Sequence, residues 1–331
     1  MTQLIIDAHF HVLVEQAEAF AAEIRPKYPS TAGQDLQGRE SARTSREKFS
    51  EISKPLMDVK RKIQDMDRMG VDLSVLSASP MSYHAWAEGK DAARLSRLQN
   101  EAMAEMGRQY PDRFAALATI PLQDVPLGVA ELTFAVKMLG HRGVMIQTNF
   151  NGRDLDHPEY EFFYHALEEL DVPLFLHPHD VAGSDRLQDY YLTNLIGNPL
   201  DTTIAVSRMM LGGVFERHPG LKVCLAHAGG QFPYIRGRLD RGYRERPEAR
   251  KHAPKEPSAY SGQVWCDTIT HWDPALKFLI EQAGEDHVYL GSDYPFDMGD
   301  MECVEQVKRI VPAGETRDRI LGGNAARLLK L

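Results

Sequence analysis

The chain has 331 residues, of which 43% are hydrophobic and 26% charged, as in a globular protein able to bury a substantial core. Its formal net charge of -9 argues against a nucleic-acid partner, and no apolar run approaches the ~20 residues of a membrane span. A strand-like segment begins at Leu4 and leaves no room for a signal peptide, so we expect a soluble, cytoplasmic protein.

The first predicted strand, Leu4 to Leu13, reads LIIDAHFHVL and carries three polar residues, Asp7, His9 and His11. Because successive side chains of a strand alternate between its two faces, the three are predicted to share one face. Three polar groups on one face of a buried strand require polar partners. A long polar stretch follows, and we interpret residues 14–56 as an insertion after strand 1.

Seven more strand-like runs follow this stretch, and segments with helical spacing separate them. The runs span residues 73–79, 113–122, 143–148, 173–179, 222–229, 264–270 and 287–295. Apolar strands that alternate with amphipathic helices indicate a parallel sheet, and eight of them favour a (β/α)8 TIM barrel. A doubly wound open sheet is the alternative, but the Gly-rich phosphate turn typical of it is missing after strand 1. No linker divides the chain, so we expect a single domain over residues 1–331.

Polar residues close several of these strands, where the active site of such a barrel lies. They are His9 and His11 at the end of strand 1, His177 at the end of strand 5, His227 at the end of strand 6 and Asp293 at the end of strand 8. A single histidine at such a position is most often structural, but the joint pattern indicates one site. Imidazoles with a carboxylate suit zinc or a similar divalent ion, and His9, His11, His177 and Asp293 supply four ligands. His227 then remains as a base beside water activated by the ion.

Five segments resemble one family. IDAHFH, FLHPHD, CLAHAGGQFPYIRGRLD, LGSDYPF and GNAARLL are similar to motifs of the amidohydrolase superfamily, in the branch of 2-amino-3-carboxymuconate-6-semialdehyde decarboxylase. The resemblance implies that the four ligands above bind the metal and that His227 is catalytic. It also implies that Arg238 binds a substrate carboxylate from the neighbouring subunit of a homodimer, and that Phe296 forms part of the pocket wall.

The number and kind of metal ions follow from the strand 4 sequence GVMIQTN and from the ligand set. Strand 4 offers neutral Gln147 and Asn149 where binuclear relatives have a bridging anion, so we expect one divalent ion. Nitrogen-rich ligation favours zinc, with manganese, iron and cobalt as alternatives.

The resemblance implies a non-oxidative decarboxylase that acts on an unsaturated or aromatic carboxylic acid in aromatic catabolism, with Asp293 as a relay in proton delivery to the carbon that bears the carboxylate. A hydrolase or hydratase of a lactone, amide or unsaturated acid is the alternative, and a barrel that binds without turnover is a third. We expect Trp86 and His179 to contact the small carboxylate substrate. Ser50 stands where the family carries a second substrate arginine.

Overall fold

The computed structural model describes residues 4–28 and 38–331. Eight parallel strands surround a central axis, and a short antiparallel hairpin, β5 and β6, follows β4. The strands are β1 (Ile6–Val12), β2 (Leu73–Ala78), β3 (Phe114–Ala116), β4 (Val144–Gln147), β5 (Asn149–Phe150), β6 (Arg153–Asp154), β7 (Leu174–His177), β8 (Val223–Leu225), β9 (Val264–Asp267) and β10 (Val288–Tyr289).

The strands close into a barrel. Ladder pairing joins β1 to β2 and β3 in one sheet, and joins β4, β7, β8, β9 and β10 in a second sheet. Parallel bridges between Ala118 and Val144 and between Phe10 and Tyr294 connect the two sheets at both seams. The predicted (β/α)8 barrel is therefore confirmed, and the open-sheet alternative is excluded because β1 has neighbours on both sides.

Helices cover the barrel. They are α1 (Glu15–Ile24), α2 (Arg39–Met57), α3 (Val59–Met69), α4 (Gly89–Gln109), α5 (Val125–Leu139), α6 (Glu161–Leu170), α7 (Asn198–Leu211), α8 (Val214–Arg217), α9 (Phe232–Glu245), α10 (Asp273–Ala283), α11 (Cys303–Ile310), α12 (Glu315–Asp318) and α13 (Asn324–Leu329). The described part of residues 14–56 thus forms α1 and most of α2. Its status as an insertion stays a prediction, as does the single domain over residues 1–331.

Two apolar layers hold the barrel together. Inside it, Ile6, Val75, Phe175 and Tyr289 form a buried cluster with residues from the other strands, and Leu328 of α13 packs against this cluster. A larger cluster lies between the strands and the surrounding helices. Burial of both strand faces explains the nearly continuous apolar runs in the sequence.

Strand β1 departs from strict alternation. Its pairing with β2 shifts between Asp7 and Phe10, so one extra residue is accommodated in a bulge. Ile6 and Ala8 therefore pack inside the barrel, whereas Phe10 packs in the outer layer. Our prediction that Asp7 shares a face with His9 is wrong, because the bulge changes the alternation between the two residues.

Among residues 4–28 and 38–331, no helix is long and apolar enough to cross a membrane. The cytoplasmic location stays a prediction.

Candidate metal centre

Four ligand atoms converge at the carboxyl end of the barrel. His9 and His11 come from the end of β1, His177 ends β7, and Asp293 follows β10. One ligand atom from each lies within 4.8 Å of all the others, and the four residues are at most 5% exposed. The Nε2 atoms of His9 and His11 are 3.1 Å apart, and Oδ1 of Asp293 lies 3.4 Å and 3.1 Å from them.

Hydrogen-bond acceptors at Nδ1 of two imidazoles determine the tautomer of each ring and leave Nε2 to face the candidate metal centre. Nδ1 of His9 lies 2.8 Å from Oδ2 of Asp267, and Nδ1 of His177 lies 3.1 Å from the carbonyl oxygen of Pro178. A carboxylate and a carbonyl only accept hydrogen bonds, so each Nδ1 is the protonated nitrogen. The Nε2 lone pairs of His9 and His177 therefore point toward the centre.

His11 has the same tautomer for a less direct reason. The hydroxyl of Ser77 lies 3.2 Å from the carbonyl oxygen of Phe10 and 3.1 Å from Nδ1 of His11. Since the hydroxyl donates its single hydrogen to the carbonyl, it accepts a hydrogen bond from Nδ1 of His11. Three imidazole lone pairs and a carboxylate oxygen thus meet at one point.

Burial and the neighbouring charges set the protonation of this cluster. Burial lowers the pKa of His177 well below its usual value, and the nearby histidines lower it further. Burial also lowers the pKa of His11, against the attraction of Asp293. Burial opposes ionisation of Asp293, but the imidazoles of His11 and His227 outweigh it and hold the pKa of Asp293 well below its usual range. Burial also opposes protonation of His9, but the neighbouring carboxylates outweigh it and raise the pKa of His9 above its usual value. The cluster therefore offers an ionised carboxylate and imidazoles of lowered pKa at His11 and His177.

A divalent cation fits this donor set. Nε2 of His177 and Oδ1 of Asp293 are buried and have no hydrogen-bond partner within the described residues. Unpartnered buried polar atoms are costly, and a cation at the centre satisfies both at once. Gln147 pairs with His177 in the β4–β7 register, and a neutral amide there supplies no bridging anion for a second ion.

His227 stands beside the four candidate ligands. It begins a tight turn in which His227 and Ala228 both have positive φ values, 53° and 57°. Its ring centroid is 5.1 Å from that of His177, and its Nε2 lies 3.5 Å from Oδ2 of Asp293. Its Nδ1 is buried and has no hydrogen-bond partner in the described part of the chain. The geometry places an imidazole next to the carboxylate of the candidate metal centre.

Asp267 connects these groups, although we did not select it from the sequence. Its Oδ2 accepts hydrogen bonds from Nδ1 of His9 and the backbone N–H of His227, and its Oδ1 accepts from the N–H groups of Ala228 and Ile269. The same carboxylate orients a metal-site histidine and holds the His227 turn. Its position at the end of a strand is the signal that could have identified it, because that criterion selected the other five residues.

Two adjoining cavities lie near the candidate metal centre, and the smaller one reaches it. The first, which we call the metal cavity, has a volume of about 280 Å³ and is lined by His177, His227, Asp293, His179 and Phe296, among others. The Phe296 ring lies 5.4 Å from that of His11. The second, which we call the α2 cavity, has a volume of about 540 Å³ and is lined largely by α2. His179 and Phe296 thus lie in the predicted pocket.

A family model described as amidohydrolase matches residues 6–331. This chain belongs to the amidohydrolase family. A 2-amino-3-carboxymuconate-6-semialdehyde decarboxylase from Dictyostelium discoideum is 37% identical over 287 residues, which cover 86% of this chain and 79% of that protein. The resemblance to this branch of the superfamily is confirmed.

Solved structures of similar proteins have the same fold. The 5-carboxyvanillate decarboxylase of Sphingomonas paucimobilis is 26% identical, superimposes with a TM-score of 0.86 and is matched over 100% of both chains. The enzyme of the same name from Novosphingobium aromaticivorans is 24% identical and superimposes with a TM-score of 0.86. The match covers 100% of this chain and 98% of that chain. That structure contains manganese and 3-methoxy-4-hydroxy-5-nitrobenzoic acid.

Two predicted substrate contacts of the amidohydrolase lie away from both cavities. Arg238 is exposed on α9 and lines neither cavity. Trp86 packs against α1 and the turn after it, with the Arg25 guanidinium 4.6 Å from its ring and the Tyr28 ring 5.4 Å away. Within one protomer, the structure therefore brings neither side chain to the metal centre.

Proposed function

We propose that this amidohydrolase is a metal-dependent, non-oxidative decarboxylase that acts on an unsaturated or aromatic carboxylic acid in aromatic catabolism. The convergence of three imidazole lone pairs and the Asp293 carboxylate beside His227 is the observation that carries the proposal. The decarboxylases named above support it, because one is 37% identical over most of this chain.

His9, His11, His177 and Asp293 would hold one divalent ion. When bound there, the ion supplies Lewis-acid polarisation of substrate oxygen atoms. Three nitrogen ligands favour zinc, while manganese in the related 5-carboxyvanillate decarboxylase keeps manganese as an alternative, along with iron and cobalt. Asp267 keeps His9 in the tautomer that presents Nε2 to the ion.

Residues of the chain then transfer one proton to the substrate. His227 and Asp293 lie close enough to share it, with 3.5 Å between Nε2 and Oδ2, and together they deliver it to the carbon that bears the carboxylate. The protonated carbon loses conjugation, and the bond to the carboxylate breaks. The electron pair of that bond returns to the conjugated system and carbon dioxide leaves. No oxidant or reductant is consumed in this sequence.

Phe296 and His179 would contact the body of the substrate, since both line the metal cavity. We propose that exposed Arg238 binds a carboxylate of substrate held by the partner subunit of a homodimer, because guanidinium recognises carboxylate bidentately. Trp86 would act indirectly, by packing the rim around α1. Size-exclusion chromatography with light scattering tests the dimer.

The reaction is tested by measuring carbon dioxide release from candidate acids with zinc-loaded and manganese-loaded protein. We expect release from at least one of 5-carboxyvanillate, 2,6-dihydroxybenzoate and 2-amino-3-carboxymuconate-6-semialdehyde, and no release after chelation. Release of a hydrolysis or hydration product without carbon dioxide would contradict the proposal and favour the hydrolase alternative.

A further inference from the structure

The metal cavity continues into the larger α2 cavity. Met81, Tyr191 and Phe296 line both, so the two spaces meet across these three side chains. The metal cavity alone, at about 280 Å³, is just below the ~300 to 1,000 Å³ typical of small-molecule sites. A ligand that fills both spaces would have room far beyond a single benzoate ring.

The wall of the α2 cavity is mainly apolar and aromatic. Phe49 and Ile52 of α2 face Met81, Tyr190, Tyr191 and Phe296 across it. The helix is attached to the opposite wall, because the backbone N–H of Tyr191 donates a hydrogen bond of 3.2 Å to Oγ of buried Ser41. The cavity therefore lies between two connected elements.

The charges around the α2 cavity disfavour a second anion. Lys48 is the single cation among its described lining residues, and it pairs with Glu51 at 3.2 Å. The carboxylates of Glu40 and Asp297 also line the cavity. Ser50, at the position of the missing family arginine, does not line it and instead donates a hydrogen bond of 2.7 Å to the carbonyl oxygen of Glu47.

We propose that the α2 cavity binds an apolar substituent of the substrate, an alkyl or aryl group on the side of the ring away from the reacting carboxylate. The inference rests on the proposed function for the placement of that carboxylate at the metal centre. Phe296 marks the boundary, because its ring contacts His11 on one side and lines the α2 cavity on the other. The substrate is thus a monocarboxylic acid with an apolar extension, in place of a dicarboxylic acid.

Binding of three kinds of acid to the zinc-loaded protein tests this inference by calorimetry. The probes are 2,6-dihydroxybenzoate, its 3-propyl and 4-propyl derivatives, and its 4-carboxy derivative. Each buried methylene contributes up to about fourfold in affinity. We expect one propyl acid to bind roughly tenfold more tightly than the unsubstituted acid, and the dicarboxylic acid to bind more weakly than both.

A charge in the cavity wall provides the second test. Ile52→Arg should abolish the preference for the propyl acid, strengthen binding of the dicarboxylic acid, and leave the affinity for 2,6-dihydroxybenzoate within about twofold. Met57→Arg is the matched control, because Met57 is exposed at the end of the same helix and does not line the cavity. This control should bind all the acids as the parent does.

Two outcomes would overturn the inference: no preference for either propyl acid, or a preference that survives Ile52→Arg. Carbon dioxide release is measured separately on the same acids and addresses the proposed reaction. If the propyl preference and its loss in Ile52→Arg are observed without any carbon dioxide release, the α2 cavity assignment stands and the decarboxylase proposal fails.

Discussion

Replacement of Asp267 by asparagine should weaken metal binding although Asp267 itself is no ligand. Each carboxylate oxygen accepts from two N–H groups: Oδ2 from Nδ1 of His9 at 2.8 Å and the His227 backbone at 2.9 Å, Oδ1 from Ala228 and Ile269 at 2.7 Å and 3.1 Å. An amide keeps one oxygen and gains an NH2 group, so in either orientation two donors face an N–H instead of an acceptor.

Both orientations of the amide in Asp267→Asn are expected to weaken metal binding. If the NH2 group faces His9, the imidazole must accept at Nδ1 and carry its proton on Nε2, which removes the lone pair that faces the centre. If it faces Ala228 and Ile269, two backbone donors lose their acceptor, at a cost of about 1–3 kcal/mol each. Loss of such an outer partner typically weakens metal affinity by ~10- to 100-fold. We therefore expect a loss of this size in Asp267→Asn.

Competition with a fluorescent zinc chelator measures the affinity, and circular dichroism verifies that the variant is folded. Asp112→Asn is the matched control, because Asp112 is exposed just before β3, away from the carboxyl ends of the strands. A folded Asp267→Asn protein that binds zinc as tightly as Asp112→Asn would refute the role assigned to Asp267.

Three further predictions concern His227, metal removal and His141. His227→Ala should bind the metal normally but lose ~10²- to 10⁴-fold in kcat, measured by carbon dioxide release; full activity would remove His227 from the mechanism. Chelation should lower the melting temperature measured by calorimetry, because the cation binds the folded cluster; an unchanged value would contradict the metal centre. Burial lowers the pKa of His141 to about 4, so its contribution to stability is complete above pH 6.5 and is lost as the pH falls toward 4. From pH 7 to pH 5, the free energy of unfolding measured by urea titration should fall by about 2 kcal/mol less in His141→Gln than in the parent protein. An equal fall in both proteins would contradict the lowered pKa of His141.

The sequence contained enough information to predict the barrel and the place of its site. Apolar strands separated by amphipathic helices indicated the closed parallel sheet, and the carboxyl ends of parallel strands meet at one edge. His177 and Asp293 are 116 residues apart in the chain, yet their positions at strand ends were sufficient to predict their proximity. Their roles as ligands stay proposals.

Other features depend on local backbone geometry that composition and spacing do not reveal. The bulge in β1 decides that Asp7 and His9 face different ways, and no residue type in that segment requires a bulge. The run predicted over residues 287–295 forms a strand only at Val288–Tyr289. Asp293 has a φ of 56°, so the backbone leaves extended geometry where the carboxylate enters the metal centre.

The buried polar groups of the candidate metal centre are costly to fold unless a cation satisfies them. The Nε2 atoms of His9 and His11 lie 3.1 Å apart, next to the Asp293 carboxylate, whose residue has a φ of 56°. Directed evolution for heat resistance in a chelating medium would therefore discard these side chains first, because apolar replacements remove buried polar atoms that lack partners without the cation. A selection experiment that is meant to retain these side chains must make survival depend on catalytic turnover or keep the cation in the medium.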